Sequence, residues 1–158
     1  MKFKSTLLAV TDMERSVAFY ETVLGLQVVQ DFGANKTLTG GICLQTADTW
    51  AGFIEGRELR FGGNDGEVYF EESDFDAFAA RLESHAVEYV HPEREHAWGQ
   101  RVVRFYDPDG HIIEVGEELR TVCRRFLSAG MTPEQTAARM DVPLELVKNC
   151  LQVPISGE

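Results

Sequence analysis

With 158 residues, 44% of them hydrophobic and 26% charged, the chain has the size and balance of one globular domain with a substantial core. A formal net charge of −11 excludes an ordinary nucleic-acid binder and disfavours anionic membranes, since both partners select basic surfaces. Cys43, Cys123 and Cys150 have neither the number of a disulfide framework nor the spacing of a thiolate zinc site, and no segment reaches the ~18 apolar residues of a membrane span, so a cytoplasmic location is expected.

Residues 3–10 alternate as a strand, and Asp12 caps a helix whose apolar positions Met13, Val17, Tyr20 and Leu24 recur at helical spacing before Gly25 stops it. Strands are expected at 26–32, 36–38 and 42–45. Residues 46–66 mix Trp50, Phe53, Ile54 and Leu59 with glycines and charges, the composition of a lid or linker with room for a short helix. The opening pattern then returns. A strand at 67–72 is followed by Asp74 as the cap of a helix over 75–85 and by a strand at 87–90 that Pro92 ends. Asp12 aligns with Asp74, Ser5 with Glu67 and Val28 with Val90 at one constant offset, so the chain contains an internal repeat.

The second copy closes with WGQRVVRFYDPDGHIIEVGE, two strands joined by the turn Asp107-Pro108-Asp109-Gly110. Glu114 stands in the middle of the second of these strands, among residues that should be dry. A carboxylate there needs water, a partner or a ligand. A pairing symmetric about the turn puts Val103 opposite Glu114, with Arg101 and Phe105 flanking it on the same face. From 118 onward the apolar stripes of Leu119, Val122, Cys123 and Phe126, of the helix capped by Thr132 with Pro133 at its first position, and of Leu144, Val147 and Leu151 predict three short helices. The last of them carries too little positive charge to enter a DNA groove, so the tail is expected to pack on the modules or join a dimer interface.

The opening LLAVTDMERSVAFYETVLGL and the closing FYDPDGHIIEVGE, set in a repeated unit, resemble the vicinal oxygen chelate superfamily of glyoxalase I, extradiol dioxygenases and bleomycin-binding proteins. The resemblance implies an α+β fold of two βαβββ modules forming a half-barrel cavity over residues 1–117, with modules at about 1–46 and 66–117 and a helical appendage at 118–158. It also implies a small-molecule ligand and a homodimer. The superfamily's four metal-ligand positions, carried over residue by residue, fall on Ser5, Gln45, Glu67 and Glu114, and both usual histidines are missing.

A metal is therefore not expected as a resident cofactor. Glu67 and Glu114 are the weak candidates for holding one, and the oxygen donors present suit Mg²⁺ or Mn²⁺ better than zinc or iron. Glu114 and Glu67 are the candidate acid/base residues, and Ser5, Cys43, Gln45, Tyr69, His96, Trp98, Arg101 and Phe105 are the candidate substrate-binding residues. Two functions follow from the resemblance: a glyoxalase- or dioxygenase-like enzyme without the usual metal quartet, and a metal-free binder of small molecules or antibiotics. A structural Arg101–glutamate pair is the alternative to a catalytic carboxylate.

Overall fold

The computed structural model describes residues 1–152, with side chains through Cys150, so the Leu151 side chain lies outside the described residues. The first module runs β1 (Thr6–Val10), α1 (Met13–Leu24), β2 (Val28–Asp31), β3 (Asn35–Leu38), β4 (Ile42–Thr46), and the short helix α2 (Ala47–Phe53) follows it. The second repeats the order with β5 (Glu67–Glu72), α3 (Phe75–Glu83), β6 (Tyr89–Glu95), β7 (Arg101–Tyr106) and β8 (Ile112–Glu117). The two sheets have the same connectivity, β1-β4-β3-β2 and β5-β8-β7-β6, which makes the repeat architectural. The fold is α+β, with C-terminal helices α4 (Leu119–Ser128), α5 (Pro133–Met140) and α6 (Leu144–Gln152). None of the described helices is long and apolar enough to cross a membrane.

The helix starts repeat down to single hydrogen bonds. Asp12 accepts from the Arg15 N–H at 3.0 Å, and Asp74 accepts from the Ala77 N–H at 3.1 Å. Gly25 ends α1 at φ 71°, a conformation that costs glycine least. Several boundaries differ from expectation by two or three residues, and the largest difference is in β6, which continues through Pro92 to Glu95. It is the edge strand of its sheet, where proline's missing N–H costs no ladder bond.

By packing, the chain divides into two compact units that cut across the module boundaries. The first comprises residues 1–68, 81–90 and 105–113. In its sheet β1 runs parallel to β4, with Leu7 beside Cys43 and Ala9 beside Gln45, while antiparallel β3 sets Thr37 beside Cys43 and Asn35 beside Gln45. Paired residues share a face, so Leu7, Ala9, Asn35, Thr37, Cys43 and Gln45 lie on one side and Val10, Leu38 and Leu44 on the other.

In this unit the DPDG turn is held by the β1–α1 junction. Asp107 caps the turn locally, accepting from the Asp109 and His111 N–H groups at 2.9 and 2.8 Å. Its other oxygen accepts from the Tyr20 hydroxyl at 2.9 Å and from His111 Nδ1 at 2.8 Å. Asp109 reaches further, accepting from the Thr11 N–H and hydroxyl at 3.1 and 2.5 Å, Arg15 Nη2 at 3.1 Å and the Ser16 hydroxyl at 3.2 Å. The two motifs that carry the family resemblance are thus one hydrogen-bonded cluster.

The second unit comprises residues 69–80, 91–104 and 114 onward. Its helices α4, α5 and α6 share a core of Val122, Cys123, Ala137, Met140, Val147 and Cys150. That helical core is tied to the sheet by charge. Glu117, fully buried, receives Arg101 Nε at 3.2 Å and Arg125 Nη2 at 3.0 Å, and Arg125 and Arg139 both reach Glu95. Burial alone would raise the Glu117 carboxyl's pKa, and the two guanidinium groups outweigh it and hold it below the usual carboxylate range.

Candidate functional site

The strands β7 and β8 set the site's geometry, and their register is not the one symmetric about the turn. The Asp107 N–H donates to the His111 carbonyl at 2.9 Å, and in step with that contact Arg104 pairs with Glu114 and Arg101 with Glu117. The expected partnership of Glu114 with Val103 is therefore one residue off, and such a slip exchanges the faces. Arg101 lies over the Phe75 ring of α3, 5.1 Å from its centroid, and bonds Asp76 at 2.6 Å. It belongs to the helix-covered face and does not flank Glu114. Phe105, four residues on, shares that face, fully buried with its ring 6.3 Å from that of Phe19. Arg104, Glu114 and Gly116 occupy the opposite face.

On this opposite face Tyr69, His96 and Trp98, three of the sequence candidates in the second unit, meet. The Tyr69 hydroxyl accepts from Gln100 Nε2 at 2.9 Å and donates to Glu71 at 3.0 Å. Gln100 Oε1 accepts from the Trp98 indole N–H at 3.1 Å, and its Nε2 also donates to the Glu117 carbonyl at 2.9 Å. The His96 ring is stacked on Trp98 with centroids 4.2 Å apart. Tyr69 and Trp98 remain 46% and 39% exposed, so part of each ring is accessible while their polar ends are fixed, His96 covering one face of the indole. A Cβ on Gly116 would stand 3.1 Å from the Tyr69 ring, which is why glycine suits that position.

Three residues of this face were missed from sequence: Gln100, Arg104 and His91. Arg104 pairs with Glu114 and its Nη1 lies 3.2 Å from His91 Nε2, whose ring Nδ1 contacts the Pro92 carbonyl at 2.8 Å. The carbonyl can only accept, so His91 donates from Nδ1 and receives Arg104 at Nε2. The one available signal was an arginine at an alternate position of β7, legible only with the correct register.

The other candidates fall in the first unit. Gln45 is buried and committed, accepting from Asn35 Nδ2 at 2.9 Å and donating to the Thr49 hydroxyl of α2 at 2.5 Å. Cys43 is buried with its sulfur 3.4 Å from the Thr37 hydroxyl. Ser5 is half-buried just ahead of β1. Glu67 is exposed and lines a cavity of about 260 Å³ together with Thr6, Leu8, Arg60, Val68 and His111.

These surroundings bear on the superfamily's metal. A dication needs converging anionic or imidazole donors, and among the described residues no three His, Cys, Asp or Glu side chains come together. Glu114 already faces a guanidinium, which places positive charge where an ion would have to approach. The Gln45 amide oxygen is taken by Asn35. The residues present do not fit the superfamily's metal.

Two modules of identical strand order with their helices define a glyoxalase-type fold. The chain belongs to the family of the glyoxalase-like domain, whose model matches residues 3–120, within the vicinal oxygen chelate superfamily. No curated protein matches it. Among solved structures, a protein of unknown function from Agrobacterium tumefaciens str. C58 is 39% identical, with 75% of this chain and 94% of that one covered at a TM-score of 0.69. A lactoylglutathione lyase from Agrobacterium tumefaciens is 25% identical, with coverages of 75% and 94% and a TM-score of 0.59. A glyoxalase/bleomycin resistance protein/dioxygenase from Nocardioides shares the fold at 21% identity, 74% and 83% coverage and a TM-score of 0.61.

Proposed function

We propose that the protein binds a small organic molecule without a metal ion, on the face that carries Tyr69, His96, Trp98 and Gln100. The observation that carries this reading is the Arg104–Glu114 pair. A buried carboxylate paired with a half-buried guanidinium is neither a ready ligand for a dication nor a ready general base. The half-exposed aromatic rings with anchored polar ends suit stacking on a planar ligand, the mode in which aromatic side chains contribute most contact for least lost freedom. The protein would act in the cytoplasm and as a homodimer, which light scattering tests directly.

The deciding experiment combines metal analysis of protein purified without chelator with thermal shift and turnover assays. The probes are bleomycin, a catechol and the methylglyoxal–glutathione hemithioacetal. The expected result is no stoichiometric metal and an upward shift with at least one probe without turnover, since a ligand that binds only the folded state stabilises it. A stoichiometric metal that Glu114→Ala removes would overturn the reading.

The second reading is a metal-independent enzyme, favoured by the placement of Glu67 in the wall of the 260 Å³ cavity. In that case Glu67 serves as the acid/base, and Glu67→Gln abolishes turnover while leaving ligand-induced stabilisation in place.

A further inference from the structure

The turn from His96 to Gly99 presents the aromatic platform, and α4 grips that turn from behind. The turn is closed by the Gly99 N–H donating to the His96 carbonyl and by the His96 N–H donating to the Gln100 carbonyl, both at 2.8 Å. The outward carbonyl of Gly99 accepts from Arg125 Nη2 at 2.5 Å. The same guanidinium bonds both oxygens of Glu117, Nε to Oε1 at 3.3 Å and Nη2 to Oε2 at 3.0 Å, and Nη1 reaches Glu95 at 3.4 Å. Arg125 therefore fixes the turn to the end of β8 and to the end of β6 at once.

The next residue of α4 fills the space beneath the turn. Gly99 has φ +88°, and a Cβ built on it would lie 2.2 Å from Phe126 Cζ, so the ring touches the glycine backbone itself. Phe126 is held in turn between cations, with Arg125 and Arg139 each over its ring at 5.0 and 5.3 Å. From Gly99 the chain passes directly to Gln100, which orients both Trp98 and Tyr69.

We propose that α4, through Arg125 and Phe126, is the positioning element that sets the Trp98–His96 platform and so determines which ligands the face accepts. The family's domain model ends at residue 120, so this determinant lies almost wholly in the helices that follow the shared domain. The ligand class is a planar ring stacked on the indole, with a hydrogen-bonding or cationic edge toward Tyr69 and Glu71. The proposal rests on the binding reading above for its ligand, and on no ligand for the positioning itself.

The test uses the full chain in a Trp50→Phe background, where Trp98 is the sole indole. Its Nε1–H gives a single ¹H–¹⁵N resonance that reports the bond to Gln100. Arg125→Ala should shift and broaden this resonance at unchanged far-UV circular dichroism, Arg125→Lys should restore part of the shift, and Lys148→Ala on α6 should leave it in place. Should Arg125→Ala not fold, Phe126→Leu keeps an apolar residue in the helical core and removes the ring from Gly99, with the same shift expected. A wild-type resonance in a folded variant of either kind overturns the proposal. Bleomycin titration then separates the two readings. A moved indole with weakened binding supports both, whereas a moved indole with unchanged binding supports the positioning role and counts against this face as the binding surface.

Discussion

Arg104 and Glu114 face each other across β7 and β8, and both are largely withdrawn from water, with 23% and 7% of their side chains exposed. The residue that the sequence marks as a carboxylate out of place thus has a cation for its partner. Removing one member leaves a buried charge uncompensated, whereas removing both leaves an apolar strand pair. Arg104→Met should cost about 3 kcal/mol in urea unfolding, with Glu114→Leu costing a similar amount. The double variant Arg104→Met/Glu114→Leu should recover most of that loss. Two single costs that simply add in the double variant would show that the residues do not act as a pair.

The DPDG turn and the first helix are bound by Asp107 and Asp109, which take the hydroxyls of Tyr20 and Ser16 and the N–H of Thr11. Burial raises the Tyr20 hydroxyl's pKa far above the ordinary phenol range, with the Asp107 and Asp109 charges adding to it, so the tyrosine is a constant donor. Tyr20→Phe removes a hydrogen bond to a charged acceptor and should cost about 2 kcal/mol. Asp109→Ala strands several donors at once and should cost more, about 3 kcal/mol, read from the shift in the denaturation midpoint.

How much of this was legible follows from the range of each interaction. The capping aspartates, Gly25 and the turn glycine at φ 84° are local, and local rules placed them. The repeat was legible because Asp12 and Asp74 do the same job at the same offset. The register of β7 and β8 was not, because alternation fits two registers one residue apart and only the bond from Asp107 to His111 chooses between them. Pro92 misled for a similar reason: whether a proline ends a strand depends on which strand is the edge. Strand alternation singled out Tyr69 as an inward-facing candidate and the loop before β7 singled out His96 and Trp98, while Gln100 was hidden because its role lies in contacts with Tyr69 and the Glu117 carbonyl, distant in the chain.

His111 and Asp107 give the fold a pH signature. Burial lowers the His111 pKa, but the hydrogen bond and charge of Asp107 prevail and raise it above 6.5, while the same partner holds Asp107 below 3.8 against the upward push of its own burial. A raised histidine stabilises fully below its unfolded pKa and loses that contribution as pH rises through the folded value. A lowered aspartate stabilises above its unfolded pKa and loses that contribution as pH falls through the folded value. The stability difference between wild type and His111→Gln should therefore be largest on the acid side of 6.5 and shrink as pH rises beyond it. Chemical denaturation at a series of pH values reads this, and a difference independent of pH would show that the imidazolium contributes nothing.

Gly99 joins the backbone of the platform turn to α4 with no side chain between them. Alanine there meets two obstacles: φ +88° lies in the left-handed region that a Cβ disfavours, and the new methyl would sit 2.2 Å from Phe126 Cζ. Phe126 has little room to retreat, with Arg125 and Arg139 over its ring. Backbone strain and overpacking together should cost about 3 kcal/mol, a lowered melting temperature being the first readout. Gly99→Ala/Phe126→Ala separates the two causes. Removing the ring relieves only the overpacking, so in the Phe126→Ala background the same glycine substitution should cost about 1 kcal/mol, the share that belongs to the backbone. An equal cost in both backgrounds would show that Phe126 does not bear on the turn, and the grip of α4 would then rest on Arg125 alone.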